Sequence, residues 1–223
     1  MTGQSDKSAR IRRALTAAVL LLLAGGAAYA LLPRHADLRA FDPDSMGRRE
    51  AAMWRYYYEK RYAALARELY LSARVDQGFS PFDSARIAWA ASRAAREFQP
   101  SRSRPEALRA LPSLVTYFRL LARAAPVKVD VDEAARTELA WWEARRWAVT
   151  PTEYGQLIAH VATLLYGVDN TDIRHAGVLR AHAMAFRDLR GQDISDADWT
   201  TITGALQRSY RLLKKGIEPG AES

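Results

Sequence analysis

From Ala14 to Leu32 the chain reads ALTAAVLLLLAGGAAYALL, nineteen residues without one charged side chain. As a helix rising 1.5 Å per residue this run covers about 28 Å, close to the hydrocarbon thickness of a bilayer. Lys7, Arg10, Arg12 and Arg13 precede it, and Arg34, Asp37 and Arg39 follow. Positive charge resists translocation, so the pattern predicts a cytoplasmic N-terminus and a remainder outside the membrane. A cleaved signal peptide is the rival reading. Its apolar region would be Ala14–Ala24, followed by Gly25-Gly26, and Ala28-Tyr29-Ala30 offers an A-x-A processing site. The anchor is favoured because Leu31-Leu32 prolong the run and Pro33 after it disfavours cleavage.

The chain has 223 residues, 49% hydrophobic and 26% charged, which excludes a wholly disordered protein and suffices for one good-sized core. The absence of cysteine removes disulfides, thiolate metal sites and Cys nucleophiles. The net charge of +8 is carried by 28 Arg and 5 Lys against 25 acidic residues. Of this, +3 sits before the apolar run. The remainder is interleaved with Asp and Glu, and no nucleic-acid motif accompanies it, so nucleic-acid binding is not expected.

Beyond Pro33 the chain reads as helices punctuated by caps and breakers. Asp42-Pro43 supplies an N-cap and N1 proline for a long amphipathic helix expected to reach Asp76, with Gly78 as its stop. Ser80-Pro81-Phe82-Asp83 opens a helix ending before Pro100, and Pro105 a short one interrupted by Pro112. Leu114, Tyr117, Phe118, Leu121 and Ala125 continue at helical spacing to Pro126. Val127–Val131 is an extended connector without a partner strand. Asp132 leads into a helix through Trp147, Thr150-Pro151-Thr152-Glu153 forms a capping box for one ending at Gly167, and Asn170 or Thr171 caps one running to Gly191. Ser195 with Asp198 caps the last, whose Trp199, Ile202, Leu206, Tyr210 and Leu213 form a single stripe before Gly216. The expected fold is therefore all-α: a basic segment 1–13, a transmembrane anchor 14–32, a linker 33–41, a compact bundle of about six to eight amphipathic helices over 42–216, and a polar tail 217–223.

Three clusters could carry function. Trp54, Tyr58, Tyr62 and Leu65 share one face of the first bundle helix, with Arg61 and Glu68 beside them, and Trp141 and Trp142 form a second aromatic patch next to Arg145 and Arg146. These stripes serve as core contacts in the simplest account and as a binding surface in the sharper one, and Arg61 and Glu68 are expected to bridge to other helices because lone buried charges are expensive. The third cluster joins Glu153 and His160, seven apart, with Asp172, His175 and His182 on the next helix. Facing helices bearing carboxylates and imidazoles could hold a metal, although the Glu-x-x-His pairing of carboxylate-bridged bundles and the HExxH motif are missing. No phosphate loop, G-x-S-x-G elbow or S-x-x-K motif occurs in the soluble part.

No catalytic residue and no cofactor are assigned from these patterns, and an enzyme is not the expected class. The expectation is a single-pass, membrane-tethered helical interaction or scaffold module of the cell envelope. Its domain would face outward and bind an envelope protein or anionic lipid headgroups. A metal-binding or enzymatic bundle built on the histidine faces is the alternative. Oligomeric state is not legible.

Overall fold

The computed structural model describes residues 3–31 and 35–218. Their regular secondary structure is all helical, with no strand among the described residues. The N-terminal helix α1 spans Gly3–Leu31, and the bundle follows as α2 (Pro43–Tyr58), α3 (Tyr62–Leu71), α4 (Pro81–Phe98), the single-turn α5 (Arg104–Ala107), α6 (Leu111–Leu121), α7 (Val131–Arg146), α8 (Pro151–Tyr166), α9 (Thr171–Arg190) and α10 (Asp196–Ile217).

The expected caps form. Asp42, Ser80, Thr150, Asn170 and Ser195 each accept a backbone N–H of the first turn they precede, and Thr150 and Ser195 complete reciprocal capping boxes with Glu153 and Asp198. Pro112 falls in the first turn of α6 and so starts that helix rather than interrupting one. Asp130, not Asp132, caps α7.

The long helix expected over 42–76 is two helices. At its middle the Lys60 N–H donates to Tyr57 O at 3.2 Å and the Arg61 N–H to Tyr56 O at 2.8 Å, while Lys60 takes φ 59°. This is a Schellman closure, in which a left-handed residue lets the last carbonyls of the helix find donors. Glycine usually fills that position, and lysine there hides the stop from a sequence reading. A π-helical turn, Ser72–Asp76, then ends α3.

The helices pack in sequence order around a closed circuit. α2 lies on α3, α3 on α4, α4 on α6, then α6 on α7, α7 on α8, α8 on α9 and α9 on α10, and α10 returns to α2. Two contacts require glycine. A Cβ on Gly47 of α2 would meet the Gln207 backbone N of α10 at 2.6 Å, and one on Gly177 of α9 would meet the Ala159 backbone N of α8 at 2.7 Å. Part of the expected linker belongs to this core. Leu38 and Phe41 are buried, the Leu38 N–H donates to Ala124 O, and the Tyr166 hydroxyl donates to Leu38 O.

α1 packs against α4. Its large apolar side chains stay uncovered, with Leu21 and Leu22 73% and 76% exposed. Among the described residues no helix is long and apolar enough to cross a membrane. Leu32, the last residue of the expected span, lies outside the described residues, as do Pro33 and Arg34 of the linker and 219–223 of the tail.

Candidate functional site: a cavity inside the helical circuit

The circuit forms a half-open cavity of about 600 Å³ that α2, α3, α4, α6, α7, α9 and α10 all line. Its apolar wall includes Met53, Trp54, Leu65, Leu69, Ile87 and Ala91. On the α7 side Trp141 and Trp142 stand edge to face, 6.0 Å between ring centroids, and Trp142 meets Phe98 of α4 at 5.1 Å.

A polar cluster of Glu50, Glu138, Arg180 and Tyr210 forms the inner end, and the last three also border a second, smaller cavity of about 170 Å³. Glu50 of α2, 5% exposed, accepts from Arg180 Nε of α9 and from the Tyr210 hydroxyl of α10, each at 2.7 Å. Both oxygens of Glu50 are thereby used, and three helices of the circuit are tied together. Burial works against the Arg180 charge, but Glu50, Tyr210 and Glu138 outweigh it and hold the guanidinium protonated. The same burial, reinforced by the Glu50 carboxylate, keeps Tyr210 neutral.

Glu138 of α7 is different. One oxygen accepts from the Trp142 indole N–H at 3.0 Å, and among the described residues the carboxylate forms no ion pair. Burial pushes its pKa above the usual glutamate range, with Arg180 and the two indoles pulling the other way. Trp141 is only 6% exposed, and its indole acts on the Glu138 carboxylate alongside that of Trp142.

Toward solvent the cavity is bounded by saturated charges. Arg145 makes two hydrogen bonds to Asp188 of α9, at 2.7 and 2.9 Å, and another to the Tyr58 hydroxyl. Arg146 donates to Phe98 O and to both oxygens of Ser101, and stacks on the Phe98 ring at 4.0 Å.

Of the residues expected on a binding surface, Trp54, Tyr58, Trp141 and Trp142 all line this cavity. Tyr62 does not: it is 51% exposed, because the turn at Lys60 takes α3 out of register with α2. Arg61 does not bridge to another helix but pairs with Glu59 and stacks on Tyr56. Glu68 does bridge, reaching Arg49 of α2 at 2.7 Å.

The metal candidates are not brought together. Glu153 accepts from the Thr150 amide and hydroxyl in its capping box, Asp172 pairs with Lys215, and His160, His175 and His182 are all exposed. Among the described residues no three His, Asp or Glu are placed to hold a metal ion.

Glu50, Glu138 and Arg180 were not legible as site residues, since a single charge on an amphipathic helix ordinarily faces solvent. One signal was present. Glu50 precedes Trp54 by four and Tyr58 by eight, and Glu138 precedes Trp142 by four, so each carboxylate continues an aromatic stripe.

No family model matches the chain, and neither a curated protein nor a solved structure matches it.

Proposed function

We propose that the chain is a binding module that holds a small amphiphilic molecule inside its helical circuit while its N-terminal helix tethers it to a membrane. The observation that carries the reading is the 600 Å³ cavity, which joins an aromatic and aliphatic wall to a polar end where Glu138 has no ion pair among the described residues. Ligand sites have this composition: mostly apolar lining for affinity, with a few convergent polar groups to orient the ligand.

Tethering is supported by the uncharged run Ala14–Leu32, by the exposed leucines of α1 and by the basic residues ahead of the run. On this reading the bundle faces outward from the membrane and serves the cell envelope, with an envelope protein or anionic headgroups as further contacts of its basic surface.

The test is titration of the purified chain with the neutral fluorophore N-phenyl-1-naphthylamine, following its emission and the quenching of tryptophan. Saturable binding of one molecule per chain, abolished by Ala91→Phe, is the expected result. Non-saturating uptake, or equal binding to the Ala91→Phe variant, overturns it.

A further inference from the structure

We infer that the head of the cavity's ligand is a protonated amine, held by Glu138 within the surrounding aromatic rings, with its apolar tail along Leu65, Leu69 and Ile87. The inference rests on the cavity being a ligand site and adds which class of ligand it takes.

Ion pairing at the inner end is uneven. Two carboxylates, Glu50 and Glu138, border it, and one guanidinium, Arg180, lies between them. Arg180 is committed to Glu50, with both Nε and Nη2 within hydrogen-bonding distance of the same oxygen. Glu138 is left with the neutral Trp142 indole as its hydrogen-bond donor and with no ion pair among the described residues. A half-buried carboxylate with no cation within hydrogen-bonding distance carries its charge at a cost, and an ammonium delivered by a ligand offsets that cost with a charge-assisted hydrogen bond.

The walls suit the same head. Trp142 and Tyr117 line the cavity near Glu138 together with Trp141, over whose ring the Arg180 guanidinium already stands at 5.7 Å, and aromatic faces attract an organic cation most strongly where it is desolvated. An acidic head finds no comparable place. At the inner end it would meet Glu138, and the cations toward solvent are already engaged, Arg145 by Asp188 and Tyr58 and Arg146 by Phe98 and Ser101.

The experiment compares n-octylamine, 1-octanol and octanoate, three probes with matching tails, by calorimetric titration at neutral pH. Octylamine is expected to bind about tenfold or more tightly than either of the others. Glu138→Gln keeps the side-chain shape and is expected to weaken octylamine about tenfold while leaving octanol within about twofold. That octanol value also reports that the variant is folded. Octanol or octanoate binding as tightly as octylamine, or octylamine unaffected by Glu138→Gln, overturns the amine assignment and leaves the cavity reading standing. Failure of all three probes to bind overturns both.

Discussion

The Trp142 indole N–H donates to Glu138 Oε1 across 3.0 Å, one turn apart on α7. A carboxylate inside the bundle is thus held by an aromatic side chain of its own helix rather than by a cation. The neighbouring carboxylate, Glu50, shows the usual solution, an arginine and a tyrosine contributed by two other helices. Of the two glutamates, only Glu50 has a matched counter-charge within hydrogen-bonding distance.

Glu138 should make stability pH-dependent in a definite direction. Burial raises its folded-state pKa above the ordinary value of 4.5, so near and above that value the native chain holds a proton that the unfolded chain releases. Stability contributed by the neutral form is full below the unfolded pKa and is lost as pH rises through the folded one. Glu138→Gln abolishes this loss. Urea denaturation across pH should show the variant gaining on the parent as pH rises from about 4.5 and then levelling off. A constant difference across that range would contradict the placement of Glu138.

Glu50→Ala removes the counter-charge of Arg180 and the acceptor of Tyr210 together. A loss of about 3–5 kcal/mol is expected from denaturation midpoints, as for other broken buried pairs. The double change Glu50→Leu with Arg180→Met should recover most of it, because no buried charge then remains at that pair.

The fold was legible where its signals are local. Caps at Asp42, Ser80, Thr150, Asn170 and Ser195 lie within three residues of the groups they serve, so sequence spacing suffices. The break at Lys60 was not, since it uses a left-handed lysine where glycine would have announced it. The aromatic half of the site was visible as stripes containing Trp54, Tyr58, Trp141 and Trp142. Its polar half depends on Glu50, Arg180 and Tyr210 meeting across up to 160 residues of chain, which no local pattern encodes. The histidine faces failed for a related reason. Seven-residue spacing aligns residues on one helix but does not choose which face turns inward.

Two glycines on neighbouring helices should respond oppositely to alanine. At Gly177 the new methyl collides with backbone of α8, the Ala159 N and the Gly155 carbonyl, so Gly177→Ala should cost about 1–3 kcal/mol or more. At Gly204 in α10 its nearest neighbour is the end of a flexible side chain, Arg208 Nη1 at 3.5 Å. Gly204→Ala should therefore stabilise the chain by about 0.5–1 kcal/mol, the helix-propensity difference. Thermal melts of both variants check the pair.

Tethering by α1 predicts that the chain sediments with membranes and resists carbonate extraction. Replacing Leu21 and Leu22 by arginine costs about 3 kcal/mol per charge within a bilayer and should release it. A chain that is already soluble before the change would contradict the anchor.

The most direct test of the central claim is fluorine NMR of the chain labelled with 5-fluorotryptophan, which reports on all six tryptophans during titration with n-octylamine. Occupation of the cavity predicts shifts for Trp54, Trp141 and Trp142, which line it, and none for Trp89, Trp147 and Trp199, which do not. Shifts confined to the exposed Trp89 and Trp147, with the three cavity tryptophans unmoved, would contradict an internal binding site.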